Sequence, residues 1–274
     1  MSLINRPLLF EHIPKTGGIT FRKLLTKMYG TDRVFVINSR NIKSSLDEFS
    51  GFPTEKRTQY RVIAGHGAQL FGHFLENPFR VCIVREPISL FLSQYYYLRT
   101  SKKDVFWEDV NKLASADAYI EYALKMGHDN MMTRFLSNSI QYILNPEIPI
   151  PAMNDKGDKQ LEIAINSMNN FDALMDLSNF DAGVYAFGKK LGWPGWVPLY
   201  APVNRTKSKP TRFAPSEEFL HRLQSVLKYD IALFKHFQHH KMDIAFQINE
   251  NNTSFRLFLI RQQMAKQAAR LLGK

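Results

Sequence analysis

The feature that most constrains this chain is a strand, a glycine turn and a helix that follow one another close to the start of the sequence. The apolar run over residues 8–13 predicts a short strand, and Pro14 breaks it. Gly17 and Gly18 form a tight turn, and residues 18–29 have the apolar spacing of an amphipathic helix. Such a turn is a ready site for an anion, because glycines let backbone N–H groups approach closely and the helix dipole adds positive charge.

Charged and polar side chains in the same turn strengthen the prediction of an anion site. Lys15 supplies a full positive charge, and Thr16 and Thr20 supply hydroxyl donors. The residue order is not that of a Walker A loop, in which the lysine follows the glycines and a hydroxyl residue for Mg²⁺ comes next. For this stretch alone, an ordinary strand-to-helix turn that contains a lysine is the alternative.

A second strand, charged turn and helix follow later in the chain. Residues 80–85 predict a buried strand, and Pro87 suits the first position of a helix over residues 87–99. Arg85 lies at the carboxyl end of that strand, where open α/β sheets bind ligands, and Ser93 lies within the helix. A guanidinium group together with a hydroxyl group suits a phosphate, so the sequence predicts a second anion site.

Strands that alternate with helices along the chain predict the fold class. Further strands are predicted at residues 34–37, 60–67 and 171–177, and further helices at residues 161–168, 181–191, 216–237 and 255–272. This alternation is typical of an α/β fold with a central parallel sheet flanked by helices. No repeat or clear linker divides the sequence, so a single domain over residues 1–274 is predicted.

The charge of the chain favours an anionic partner. The sequence has 36 Lys and Arg residues against 25 Asp and Glu residues, a net charge of +11. Cys82 is the one cysteine, so an intrachain disulfide is excluded. Without a signal-peptide pattern or a run of about 18–20 apolar residues, a cytoplasmic protein with no membrane span is expected.

Together the two turns resemble the two cofactor signatures of sulfotransferases that use 3′-phosphoadenosine-5′-phosphosulfate (PAPS). Residues 14–18, Pro-Lys-Thr-Gly-Gly, are similar to that family's loop for the 5′-phosphosulfate. Residues 85–96, with Arg-Glu-Pro and then Ser-Gln-Tyr-Tyr, are similar to its 3′-phosphate site. The closer similarity is to the carbohydrate branch typified by heparan sulfate 2-O-sulfotransferases. Ile19 departs from the family pattern, which usually has a hydroxyl residue at this position.

The resemblance implies a P-loop-like three-layer fold, PAPS as the sulfuryl donor without a metal, and a carbohydrate hydroxyl as the acceptor. It implies cofactor contacts from Lys15, Thr16, Gly17, Gly18, Thr20, Arg85 and Ser93, and from Arg205 and Lys207 in a late basic loop. His12 is expected to orient the first loop. Asn130 and Arg134 lie in a segment that resembles one beside the acceptor and are expected to contact substrate, with a solvated helix end as the alternative.

Two residues are candidates for catalysis, because sulfuryl transfer needs a base for the acceptor and a cation at the leaving oxygen. As in the family, Lys15 is expected at the bridging oxygen of PAPS. His66 is the candidate base, since an imidazole with an ordinary pKa of ~6.5 can accept a proton, and Gly65-His66 resembles the Gly-His of the carbohydrate branch. A histidine that only hydrogen-bonds at a strand end is the alternative, and His73 is a weaker rival base.

Two other functions stay open at this stage. A nucleotide kinase or NTPase would use a similar sheet, although the Walker A order is missing. A non-catalytic binder of anionic glycan or nucleic acid would use the net charge without a base. Nucleic acid is not the expected partner, and His236, His239 and His240 lack the acidic or cysteine partners typical of a zinc site.

Overall fold

The computed structural model describes residues 6–140, 153–193, 199–201, 216–249 and 251–271. Its centre is a five-stranded parallel sheet with the strand order β2-β3-β1-β4-β5. The strands are β1 (Leu8–Glu11), β2 (Val34–Val36), β3 (Val62–Gly65), β4 (Phe79–Val84) and β5 (Ala173–Asp176). The predicted α/β class with a central parallel sheet is therefore confirmed.

Helices fill most of the remaining described sequence. They are α1 (Gly18–Tyr29), α2 (Ile42–Gly51), α3 (Thr54–Arg57), α4 (Pro87–Thr100), α5 (Trp107–Lys112), α6 (Ala116–Met126), α7 (Met131–Leu136), α8 (Met153–Asn169), α9 (Phe180–Lys190), α10 (Glu217–Val226), α11 (Lys228–His239) and α12 (Thr253–Leu271). Short 3₁₀ helices lie at Thr31–Arg33, Ala68–Phe74, Leu177–Asn179 and Ile244–Gln247. One long helix was predicted over residues 216–237, but the chain leaves the helical path at Leu227 and forms α10 and α11. None of the helices in these described ranges is long and apolar enough to span a membrane.

The strand order places a topological switch between β1 and β4. The chain that leaves β1 leads to β2 on one side of the sheet order, and the chain that leaves β4 leads to β5 on the other side. The two strands are neighbours, with Glu11 paired in register with Cys82. Open α/β sheets bind ligands outside the carboxyl ends of strands at such a switch, so the turn after β1 lies where a ligand is expected.

A continuous apolar run in β1 and an apolar face on α1 explain why these two elements form and pack together. All four residues of β1 are buried, as expected for the central strand of a parallel sheet. In α1, Phe21, Leu24 and Leu25 are buried on one face, and the Phe21 ring packs edge-on against Phe10 at 4.8 Å between ring centroids. This packing fixes the start of α1 at the carboxyl end of β1.

The contacts of the chain group into two compact units made of interleaved segments. The first unit comprises residues 1–84, 170–203 and 237–274 and contains the sheet. The second comprises residues 85–169 and 204–236 and has its own core, in which Phe91 and Tyr119 pack at 5.1 Å between ring centroids. Neither unit is a contiguous piece of sequence, so the chain cannot be cut into two domains at one point. The single domain over residues 1–274 stays a prediction.

Candidate active site

The turn after β1 has a backbone shape that brings N–H groups together. Lys15 has a φ of 65° and Gly17 a φ of 84°, whereas Thr16 between them does not have a positive φ. Alternation of this kind forms a concave arrangement of N–H groups, called a nest, that suits an anion. A left-handed conformation costs a non-glycine residue roughly 1–2 kcal/mol, and such residues cluster at functional sites. The conformation of Lys15 therefore marks this turn as a candidate site.

The two glycines of the turn are required for different reasons. At Gly17 the positive φ favours glycine, and a Cβ would also lie 2.7 Å from Leu177 Cδ1. At Gly18 a Cβ would lie 1.9 Å from Cδ2 of the His12 ring. Gly18 therefore gives room to the His12 imidazole, which fits the expectation that His12 orients the loop.

The two threonines of the turn are held inside the protein. The hydroxyl of Thr16, which is fully buried, donates to the Ile13 carbonyl at 2.8 Å. Thr20 is also buried, and its backbone N–H donates to the Gly17 carbonyl at 3.0 Å. Thr16 thus closes the turn with its hydroxyl, which differs from the hydroxyl contact to an anion that the sequence suggested.

In the part of the chain that the structure describes, no side chain caps the start of α1. Gly17 precedes the helix without a side-chain cap, and the first turn of α1 contains no acidic residue. The turns after two other strands differ in this respect: Glu11 accepts hydrogen bonds from the turn after β3, and Glu86 accepts them from the first turn of α4 after β4. Since the first N–H groups of a helix have no acceptor within the helix, those at the start of α1 are suited to bind an external anion.

His66, the candidate base, follows β3 and is oriented by the chain that follows β1. Its Nδ1 contacts the carbonyl oxygen of His12, and the two imidazole rings stack at 4.3 Å between centroids. A carbonyl oxygen only accepts, so Nδ1 carries the proton and Nε2 carries the lone pair. This is the tautomer that a general base needs.

The surroundings of His66 keep its ring neutral. Burial, with the charge of Arg22 as a smaller cause, lowers the pKa of His66 to about 4, although the hydrogen bond to His12 opposes this shift. Burial also lowers the pKa of His12 well below its ordinary value, and the charges of Arg22 and Lys15 add to the effect. The sequence alone suggested an ordinary imidazole; the structure has one that is deprotonated at neutral pH and is a weaker base.

Arg22 is a site residue that the sequence analysis missed. It lies in the second turn of α1 and is half-buried, and burial lowers the pKa of its guanidinium. Within the described ranges its guanidinium has no ion pair or hydrogen bond, while its charge acts on both His12 and His66. The helical period places residue 22 one turn beyond Gly18, and that spacing could have indicated a second cation beside the turn.

His73, the rival base, lies in the 3₁₀ helix Ala68–Phe74 and is exposed. Its ring packs against Phe74 at 3.9 Å between centroids. His66 is the histidine whose ring stacks on His12 beside the anion turn, and its assignment as the base stays a prediction.

The residues expected at the 3′-phosphate belong to the second unit. Arg85, half-buried, follows β4 directly, and Ser93 is buried in the second turn of α4. Pro87 stands at the first position of α4 as predicted, with Glu86 as the N-cap. Arg205 and Lys207 lie outside the described residues.

Asn130 and Arg134 are interior residues of the second unit, with 2% and 1% of their surface exposed. Arg134 donates to Asp129 Oδ1 at 2.7 Å and to the Asp129 carbonyl at 2.9 Å. The Asn130 amide donates to the Val226 carbonyl at 2.8 Å and accepts from the N–H of Asp230 at 3.0 Å. The contacts of Asn130 tie the start of α7 to the end of α10 and to α11, and burial excludes a solvated helix end. Contact of Asn130 and Arg134 with substrate stays a prediction.

No cluster of three or more His, Cys, Asp or Glu side chains that could hold a metal occurs in the part of the chain that the structure describes. Comparison with known proteins finds neither a family model that matches the chain nor a curated protein that matches it significantly. The geometry of the site and the two sequence motifs therefore carry the functional conclusion.

Proposed function

We propose that this chain is a sulfotransferase that moves a sulfuryl group from PAPS to a hydroxyl group, on a carbohydrate acceptor. The observation that carries the proposal is the turn after β1. There Lys15 and Arg22 act on the His12 ring, and that ring stacks on His66, a neutral imidazole whose lone pair is on Nε2. A cationic turn beside a base supplies the two protein functions that the reaction needs.

The residues present fit the phosphosulfate group. The nest at Lys15–Gly17 and the N–H groups of Gly18 and Ile19 offer backbone donors, and they do not depend on the side chain at position 19. The departure at Ile19 therefore leaves the backbone part of the anion site intact. PAPS, when bound, supplies an activated sulfuryl group with a good leaving group.

The chain's own residues would then perform two tasks. His66 Nε2 would take the proton from the acceptor hydroxyl, while Nδ1–H stays on the His12 carbonyl and keeps the ring oriented. Lys15 would stabilise the negative charge that develops on the leaving oxygen. Because the charge of Arg22 lowers the pKa of His66, an anion held against Lys15 and Arg22 would raise that pKa and make His66 a better base.

The remaining contacts of the proposal come from the resemblance. Arg85 and Ser93 are assigned to the 3′-phosphate, and Arg205 and Lys207 to the loop over the 3′-phosphate and adenine. The guanidinium of Arg85 suits a phosphate because its donors match phosphate oxygens in pairs.

The test is transfer of label from ³⁵S-PAPS to a panel of desulfated polysaccharides, with the full chain and two matched variants. His66→Asn keeps a side-chain N–H that can donate to the His12 carbonyl but removes the base, so transfer should fall by about 10²–10⁴-fold. His73→Asn should transfer at the wild-type rate because His73 is exposed. Loss of transfer in His73→Asn but not in His66→Asn would give the base role to His73. A wild-type chain that neither transfers label nor binds 3′-phosphoadenosine-5′-phosphate (PAP, the desulfated product of PAPS) would refute the proposed function.

A further inference from the structure

Glu11, the last residue of β1, is a buried carboxylate that the proposed reaction does not use. Only 1% of its surface is exposed, and it follows three buried apolar residues in the central strand. A charge in such a place is costly unless hydrogen bonds compensate it. A residue that breaks the apolar pattern of a core strand needs a compensating gain, and such exceptions concentrate at functional sites.

Both carboxylate oxygens of Glu11 bind backbone N–H groups of the segment that follows His66. Oε1 accepts from the N–H of Gly67 at 2.9 Å, and Oε2 accepts from the N–H of Gln69 at 2.8 Å. The 3₁₀ helix Ala68–Phe74 begins here, and Gly67, with a φ of 72°, offers it no side-chain cap. Glu11 therefore caps this helix from the neighbouring strand, across more than fifty residues of sequence.

The same end of β1 also holds the His66 ring. The carbonyl of His12 accepts from Nδ1 of His66, while the carboxylate of Glu11 anchors the backbone immediately after it. On the other side of His66, Gly65 is paired in register with Glu11 in the parallel sheet. The segment from Gly65 to Gln69 is thus attached to residues 11 and 12 at four points.

We propose that Glu11 is a positioning residue that fixes the orientation and the tautomer of His66 by anchoring the turn after β3. The inference rests on the proposed function in that His66 is the base whose orientation matters. A base displaced by about 1 Å can lose roughly 10²-fold in rate, so an anchor of this kind has a catalytic consequence without contact to substrate.

The hydrogen bonds make Glu11 sensitive to a change of one atom. Burial raises the pKa of Glu11, whereas the backbone N–H groups on both oxygens favour the ionised form, which is the form that accepts at Oε1 and at Oε2 together. In Glu11→Gln one oxygen remains as an acceptor, but the new NH₂ group faces an N–H donor. One buried donor then loses its partner, which should release one side of the turn.

The matched control is Glu86, whose exposed carboxylate caps α4 in the same way, with Oε1 accepting from Ile88 N at 3.0 Å and Oε2 from Ser89 N at 2.7 Å. Glu86→Gln also removes a cap from a turn after a strand. It should therefore reproduce a general loss of capping while leaving the His66 ring untouched.

The experiment is ¹⁵N NMR of the histidine rings in the full chain, together with turnover and PAP affinity. Glu11→Gln should convert the His66 signals from a single Nδ1–H tautomer to an averaged pair and should lower kcat by about 10- to 100-fold, with PAP affinity within about threefold of wild type. Glu86→Gln should leave the His66 signals unchanged. A Glu11→Gln chain that is less stable but keeps the single tautomer would overturn the positioning role.

The ring signals separate this inference from the proposed function. Averaged His66 signals in Glu11→Gln support positioning even if the wild-type chain shows no sulfuryl transfer, in which case only the assigned reaction fails. Unchanged signals refute positioning even if transfer is observed. Glu11→Met, of similar length but without an acceptor, gives a second variant in which both anchors are lost, and it should show the larger effect on the ring.

Discussion

Substitution of Gly18 by alanine tests the packing that shapes the anion turn. The new Cβ would lie 1.9, 2.3 and 2.5 Å from Cδ2, Nε2 and Cγ of the His12 ring. Ordinary contact begins near 3.4 Å, so the ring would have to move by 3.4 − 1.9 = 1.5 Å. The ring is buried and stacked on His66 at 4.3 Å and on Phe10 at 5.7 Å between centroids, so this movement disturbs the candidate base as well.

The expected cost of Gly18→Ala follows from two opposing terms. Overpacking a filled site costs about 1–3 kcal/mol. Alanine in a helix is favoured over glycine by about 1 kcal/mol, which offsets part of that cost. The free energy of unfolding should therefore fall by up to about 2 kcal/mol, measured by urea denaturation with an unchanged m-value.

Gly51→Ala is the matched control, because Gly51 also lies in a helix and a Cβ there meets no atom within 4 Å. It should leave stability unchanged or slightly increased. In the double variant His12→Ala/Gly18→Ala the clash is removed, so the two effects should be non-additive by at least about 1 kcal/mol. Equal stability of the Gly18→Ala and Gly51→Ala chains, or simple additivity in the double variant, would refute the packing argument.

Three further predictions concern charges. Lys15→Ala should weaken PAP binding by about 10- to 100-fold in calorimetry, because a charge-assisted hydrogen bond contributes about 1.5–3 kcal/mol. Lys23 lies on the exposed side of α1, so the Lys23→Ala chain should bind PAP with wild-type affinity. Equal affinities of the two variants would remove Lys15 from the site. The pKa of His66 is ~6.5 in the unfolded chain and about 4 in the folded chain. Because the unfolded chain therefore binds a proton first as the pH falls, the free energy of unfolding should decrease by up to about 3 kcal/mol between about pH 6.5 and about pH 4. Denaturation at several pH values should show a slope smaller by about one proton in His66→Asn, and an unchanged slope would contradict the lowered pKa of the His66 ring. Asp129→Asn should lower the free energy of unfolding by about 3–5 kcal/mol, because it leaves the charge of Arg134 buried without its partner at 2.7 Å. A decrease in the free energy of unfolding of less than about 1 kcal/mol would show that the ion pair is not essential for stability.

Much of the fold could be predicted from the sequence, because apolar runs and turn residues mark the strands and helices directly. The predicted ranges 8–13 and 171–177 each contain a strand of the sheet, and the range 80–85 is displaced by one residue from β4. The helix predicted at 18–29 has those bounds in the structure. The order of the strands could not be predicted in this way. It depends on pairings such as Leu8 with Val62 and with Phe79, between residues far apart in sequence.

The candidate site was predicted only in part, for a related physical reason. A turn that binds an anion has a local signature, so the Lys15–Gly18 stretch could be identified from the sequence. The contact of Glu11 with Gly67, the room that Gly18 leaves for His12 and the charge of Arg22 beside His66 all depend on tertiary packing.

Burial also depends on packing, and it changes the meaning of a polar residue. From the sequence, Arg134 was expected to contact substrate or to lie at a solvated helix end, and in the structure it is 1% exposed and paired with Asp129. The burial of Arg134 and Asp129 depends on how the helices of the second unit pack, which the sequence pattern does not indicate. The same holds for the pKa of His66, because desolvation cannot be read from the residue type.

The most direct measurement of the central claim is calorimetric titration of the full chain with PAP, with AMP and with ATP plus Mg²⁺. The account predicts that PAP binds at least about tenfold more tightly than AMP, a difference of about 1.4 kcal/mol, because only PAP carries the 3′-phosphate assigned to Arg85 and Ser93. Binding of ATP with Mg²⁺ but not of PAP would contradict the claim and favour a nucleotide kinase. Equal and strongly salt-dependent binding of all three would instead indicate a general anion binder.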